Sequence, residues 1–111
     1  MDEEGYPTEE ELKRYETEKD IDKLILFVRS NWWPGDEHGT KYSDGILQLH
    51  TGGWSGNEST ISALRCNAEF WSTLLGERAG GHYYFEIEYH KATKWMEEYF
   101  AKKKEEGVKD P

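Results

Sequence analysis

Along this chain the spacing of apolar residues alternates between the period of a helix and that of a strand, and few folds accommodate such a pattern. Ile21, Leu24, Ile25, Val28 and Trp32 share one helical stripe, widened by Leu26, Phe27 and Trp33. In ILQLHT, Leu47, Leu49 and Thr51 alternate with Ile46, Gln48 and His50, as in a half-buried strand. Helical spacing returns at Ile61, Leu64, Ala68, Trp71 and Leu75. The run HYYFEIEYH then sets Tyr83, Phe85, Ile87 and Tyr89 on one face and Tyr84, Glu86 and Glu88 on the other. Trp95, Met96, Tyr99 and Phe100 are again helical, the stripe of a C-terminal helix packing one side on the core. The order helix, helix, hairpin, helix, strand, helix predicts an α+β domain, a small two- to three-stranded sheet packed against helices.

Local signals set the boundaries. Thr8 and Glu11 form a capping box, so a helix starts at Glu9 and runs to about Lys19, and Asp20 caps the next. Pro34 disfavours the α conformation at Trp33 and ends that helix. Residues 34–43 read as a loop ending in a short strand at Thr40–Tyr42, and Asp44-Gly45 as a type I′ hairpin turn. A central helix over 58–78 ends at Gly80-Gly81 as a left-handed cap. That helix serves as a right-handed crossover, making the strands 46–50 and 82–90 parallel and bringing His50 and His90 to the end where the glycines lie. Residues 1–111 form a single domain: an acidic helix over 1–19, a core over 20–100 and a frayed end over 101–111.

Length and charge narrow the functions. At 111 residues there is room for one core, and five Trp, seven Tyr and four Phe make it an aromatic one. No apolar run is long enough for a membrane span, and the opening MDEEGYP lacks the basic and apolar regions of a secretory signal, which leads to the expectation of a cytoplasmic protein. The single cysteine, Cys66, fits a reducing compartment and is expected to be a buried helix residue. The net charge is −9, of which residues 1–22, with ten acids and three bases, carry −7. Such a surface argues against direct nucleic-acid binding, which needs clustered Lys or Arg. Lys102-Lys103-Lys104, followed at once by Glu105 and Glu106, reads as a solvated helix end.

The stretch Thr51-Gly-Gly-Trp-Ser-Gly-Asn-Glu58 joins a strand to a helix and has two readings. Structurally, Gly52 and Gly53 supply positive φ, Asn57 or Ser59 caps the helix, and Trp54 plugs the end of the core. Functionally, the amides around Gly52, Gly53, Ser55 and Gly56 open a helix as an anion cradle does, with His50, Asn57, Glu58 and His90 lining it. The stretch lacks the Lys-Ser/Thr of a phosphate loop and the GxGxxG spacing, and Glu58 already occupies the favourable field of the helix dipole. The chain has no nucleophile elbow and no HExxH, and two histidines do not specify zinc, so no catalytic residue, metal or cofactor is assigned. Trp33, Tyr84, Glu86 and Glu88 are candidates for a protein interaction surface.

TGGWSGNE, Phe70-Trp71, Arg78 and Gly80-Gly81-His82-Tyr83-Tyr84-Phe85 together resemble a group of small uncharacterised bacteriophage and prophage proteins, over about residues 45–87. The resemblance implies a phage-encoded protein in a bacterial cytoplasm, where many accessory proteins act by binding a host or phage protein. With the acidic segment and surface-prone aromatics, this leads to the expectation of an interaction protein acting as an inhibitor or a mimic of nucleic-acid charge. The competing expectation is a small-ligand or anion-binding domain, with or without enzymatic activity, at TGGWSGNE.

Overall fold

Thr8 opens the first helix as its capping box requires: its hydroxyl accepts from the Glu11 amide at 3.2 Å and the Glu11 carboxylate accepts from the Thr8 amide. The computed structural model describes residues 1–105. Its elements are α1 (Glu9–Thr17), α2 (Ile21–Ser30), β1 (Thr40–Ser43), β2 (Ile46–His50), α3 (Ser55–Arg65), α4 (Ala68–Trp71), β3 (Leu74–Arg78), β4 (His82–Glu86) and α5 (Ile87–Glu105). The Asp20 side chain caps α2 at the Lys23 amide, and Asp44-Gly45 turns the β1–β2 hairpin with φ of 55° and 78°. No described helix is long and apolar enough to cross a membrane.

The α+β class holds, with four strands where two or three were expected. Their order is β1-β2-β4-β3 and every neighbouring pair is antiparallel. The predicted central helix over 58–78 is thereby corrected: α3 stops at Arg65, α4 is a single turn, and Leu74–Arg78 is a strand. The break lies at Asn67, whose Oδ1 accepts from the Phe70 amide while Nδ2 donates to the carbonyls of Tyr15 and Glu18 at the end of α1. A side chain that pairs with backbone this well replaces the helical ladder locally. Cys66 at this break is exposed, not buried. Gly80-Gly81 is then a hairpin turn between β3 and β4, not a helix cap. The crossover exists, but the strand it reaches is β3, parallel to β2, and β4 is inserted between them antiparallel to both.

Helices cover one face of the sheet. Leu47, Leu49, Tyr83 and Phe85 point into that layer, where Leu24, Val28, Leu64, Phe70 and Ile87 are fully buried. Tyr15 of α1 is also among the largest fully buried side chains, so the core is not confined to residues 20–100. Trp32 closes the layer, 4% exposed, with its indole N–H on the His50 carbonyl at 3.0 Å. The opposite face, with Gln48, His50, His82, Tyr84 and Glu86, is only half-buried.

β4 ends four residues before its alternating pattern does. The carbonyl of Gly45 in the hairpin turn accepts from the amides of Ile87 (2.9 Å) and Glu88 (3.3 Å), and α5 starts there. Gly45 must lack a side chain, because a Cβ would meet Glu88 at 2.9 Å. Tyr89, expected in the core, consequently lies outside it at 71% exposure. Trp95, Met96, Tyr99 and Phe100, expected to pack one side of the domain, are exposed as well. The α5 helix continues to Glu105; the rest of the end expected to fray, residues 106–111, lies outside the described residues.

Candidate functional site

The glycine stretch is a corner tied inward. Gly52 and Gly53 have φ of 62° and 76°, both are exposed, and the space around them is open. The amides of Gly53 and Trp54 are turned onto Thr51, reaching its hydroxyl at 3.4 Å and its carbonyl at 3.0 Å. Thr51, fully buried, donates its hydroxyl to Glu58 Oε1 at 3.0 Å and its amide to the Gly81 carbonyl at 2.9 Å, so strand end, helix start and the β3–β4 turn form one knot. The helix start is capped by neither Asn57 nor Ser59. Trp54 occupies the cap position without a side-chain bond, Ser59 bonds to the Ser55 carbonyl, and Asn57 is spent elsewhere.

Asn57 is buried and faces the backbone of Trp33. Its Oδ1 accepts from the Trp33 amide at 3.3 Å, and Nδ2 donates to the carbonyls of Trp33 and, at 3.2 Å, Thr51. This grip fixes the chain after α2 so that the Trp33 ring, 59% exposed, stands 5.9 Å from the ring of Trp54. Trp54 does plug a gap, but against the N-terminal segment: its ring lies 5.5 Å from Tyr6 and its N–H reaches the Gly5 carbonyl at 3.4 Å. Gly56 permits this approach, since a Cβ there would meet Trp54 Nε1 at 2.6 Å and the Gly5 carbonyl at 2.7 Å. The Tyr6 hydroxyl bonds to Ser55 Oγ at 2.9 Å. The result is an open notch lined by Trp33, Trp54, Gly5 and Met1 and rimmed by Glu3 and Glu4.

Of the expected histidine pair, only His50 is at this end. His90 lies beyond the other end of β4, one turn into α5, where its buried Nε2 has no hydrogen-bond partner. The parallel arrangement that would have joined them does not occur; His82, opposite His50 in the antiparallel register, takes that place. The two Nδ1 atoms are 2.8 Å apart, and His50 Nε2 is 3.2 Å from Gln48 Oε1. The pattern is satisfied when His50 donates from Nε2 to Gln48 and accepts at Nδ1 from His82. His82 could have been found from the sequence had Gly80-Gly81 been read as a hairpin turn. Among the described residues no group of three or more His, Cys, Asp or Glu is placed to hold a metal ion.

Desolvation by burial, and next the neighbouring His82, hold the His50 pKa below the ordinary histidine value. A base with a lowered folded-state pKa stabilises the fold above its unfolded pKa and loses that contribution as pH falls. The melting temperature is therefore expected to hold steady above about pH 7, to fall as pH drops past about 6.5, and to level off below the lowered His50 value. Thermal melts of the parent and His50→Gln check this: the variant should lose the dependence in that window, and an unchanged profile would refute it.

The interaction candidates do not form one surface. Trp33 belongs to the notch. Tyr84 and Glu86 sit on the open sheet face, with Tyr84 edge-on to His50 at 6.0 Å. Glu88 is in α5 rather than in a strand, and accepts from the Tyr42 hydroxyl at 2.8 Å. No family model, curated protein or solved structure matches the chain.

Proposed function

We propose that the protein is a binding module that captures a basic segment of another protein in the notch of Trp33 and Trp54. The observation that carries this reading is the exposed Trp33 ring beside Trp54, with Glu3 and Glu4 on the rim. Indole faces attract guanidinium and ammonium groups, and nearby carboxylates add to the attraction. Exposed aromatic residues also commonly anchor protein interfaces. The −7 charge of residues 1–22 supports a partner with a basic surface, as nucleic-acid-handling proteins have, and so a charge mimic or inhibitor. The resemblance of residues 45–87 to phage proteins supports a setting in a bacterial cytoplasm. The amides turned inward at Thr51 and the distance of His90 from the corner weigh against the small-ligand reading.

Removal of residues 1–19 is a poor test, since it also deletes Tyr15 and two carbonyl partners of Asn67. Trp33→Ala is cleaner. Titration with an Arg- and Lys-rich peptide, followed by thermal shift and calorimetry, is expected to show binding that weakens as salt rises. Trp33→Ala should weaken it about 10-fold, a loss of roughly 1.4 kcal/mol, while the melting temperature moves by no more than about 2 °C. Equal affinity in parent and variant, or no dependence on salt, would count against the notch.

A further inference from the structure

We infer that α5 is a dimerisation helix whose apolar face pairs antiparallel with the α5 of a second copy. The helix is tied to the domain along one side, and Trp95 and Tyr89 border the grooves on either flank of that side. Ile87 is buried, Lys91 pairs with Asp22 at 3.0 Å, Lys94 pairs with Glu69, and His90 lies in the same groove beside Asp20. At about 100° per residue these four positions cluster on one side. Tyr89, Ala92, Trp95, Met96, Tyr99, Phe100 and Lys103 cluster on the other, in a stripe about 140° wide. The large side chains of that stripe are between 41% and 71% exposed. They are also ordered among themselves: Trp95 and Tyr99 stack at 5.4 Å, and Lys103 lies over Tyr99 at 4.9 Å.

Area and charge together select a second copy as the occupant. Five large side chains at these exposures leave on the order of 500 Å² of apolar surface, at the upper end of what a soluble monomer shows in one patch. Two such faces bury about 1,000 Å², the lower bound for a specific interface. The helix is charged at its two ends in opposite senses. At its root Asp22 and Glu69 are taken up by Lys91 and Lys94, which leaves Asp20 and Glu88 as the free acids there among the described residues, and its far end carries Lys102-Lys103-Lys104 ahead of Glu105. Parallel pairing would lay the lysines of one copy on those of the other. Antiparallel pairing centred near Met96 brings them to the partner end that holds Glu88 and Asp20, and sets Lys104 opposite Glu88 and Phe100 opposite the small Ala92. The helix has the reach for this, since 19 residues span about 28 Å and the described chain extends 59 Å along its longest axis against 27 and 20 Å. The strongly acidic residues 1–11 and the Trp33 notch lie towards the His50 end of the sheet, away from the α5 root, and stay clear of this contact.

The test is the mass of the full chain by light scattering and sedimentation over a range from about 1 to 200 μM, a span matched to weak and moderate interfaces. A dimer is expected. Met96→Glu with Phe100→Glu should weaken it roughly 100-fold while circular dichroism and the melt of the domain stay those of the monomer, because neither side chain belongs to the core. In a Cys66→Ser background, a mixture of Glu88→Cys and Lys104→Cys chains should cross-link to each other, and Lys104→Cys alone should not. A parent that stays monomeric throughout the range would overturn the inference, even if the stripe then captured a different protein. Cross-linking of Lys104→Cys to itself would overturn the antiparallel arrangement. Peptide binding at the notch reads out separately from mass, so either proposal can fail without the other.

Discussion

Phe85→Ala should unfold much of the population at temperatures where the parent is native. Phe85 is fully buried at the centre of β4, paired with Leu47 on one side and Leu74 on the other. Its ring lies 4.7 Å from Phe70 and 5.5 Å from Trp71, so it joins the sheet to the short helix that Asn67 starts. Truncating a buried phenylalanine costs about 3–5 kcal/mol, from lost transfer energy and the cavity left behind. A domain of this size has about 5–15 kcal/mol in total, so the change is a large share of it. Phe85→Leu, which keeps most of the volume, should cost about 1–2 kcal/mol. Urea denaturation checks both: the midpoint should fall with little change in slope. A loss below about 1 kcal/mol for the alanine variant would mean that the helices do not close over this face.

Asn57→Leu should be nearly as damaging, through polar groups instead of volume. The amide side chain satisfies three backbone groups, the N–H and C=O of Trp33 and the C=O of Thr51. Leucine would leave the N–H and C=O of Trp33 without this partner, in a region 3% exposed at Asn57 itself, while the Thr51 carbonyl would keep the Trp54 amide at 3.0 Å. Unsatisfied buried groups cost about 1–3 kcal/mol each, and with partial access of water the net loss should be about 2–4 kcal/mol. Because the same grip positions Trp33, peptide binding at the notch should weaken as well, at temperatures where the variant is still folded. The contrast with Trp33→Ala is diagnostic: that variant should lose binding and keep stability, whereas Asn57→Leu should lose both. An Asn57→Leu protein with parental stability would show that water or another side chain satisfies Trp33.

What could be read from the sequence were features whose cause lies within a few residues. The capping box at Thr8, the Asp20 cap, the Asp44-Gly45 turn and the alternation of Leu47 and Leu49 each depend on neighbours in the chain, and each is found. The end of α2 was not among them: the helix stops at Ser30, short of the stop that Pro34 predicts at Trp33, so Trp32 and Trp33 lie beyond it and are placed by tertiary bonds to His50 and Asn57. The features that could not be read depend on partners far away in sequence. Asn67 breaks the central helix because its amide meets two carbonyls of α1, about fifty residues earlier. Ile87 begins a helix instead of extending a strand because the Gly45 carbonyl accepts its amide. Periodicity is blind to both, since apolar residues can keep helical or alternating spacing after the backbone has turned. The candidate site followed the same division. Gly52 and Gly53 were legible as a positive-φ corner, whereas the grip of Asn57 on Trp33, the packing of Trp54 on Tyr6, and the meeting of His50 with His82 rather than His90 were decided by strand order. Inserting β4 between β2 and β3 reversed its direction, and with it which residues share an end of the sheet.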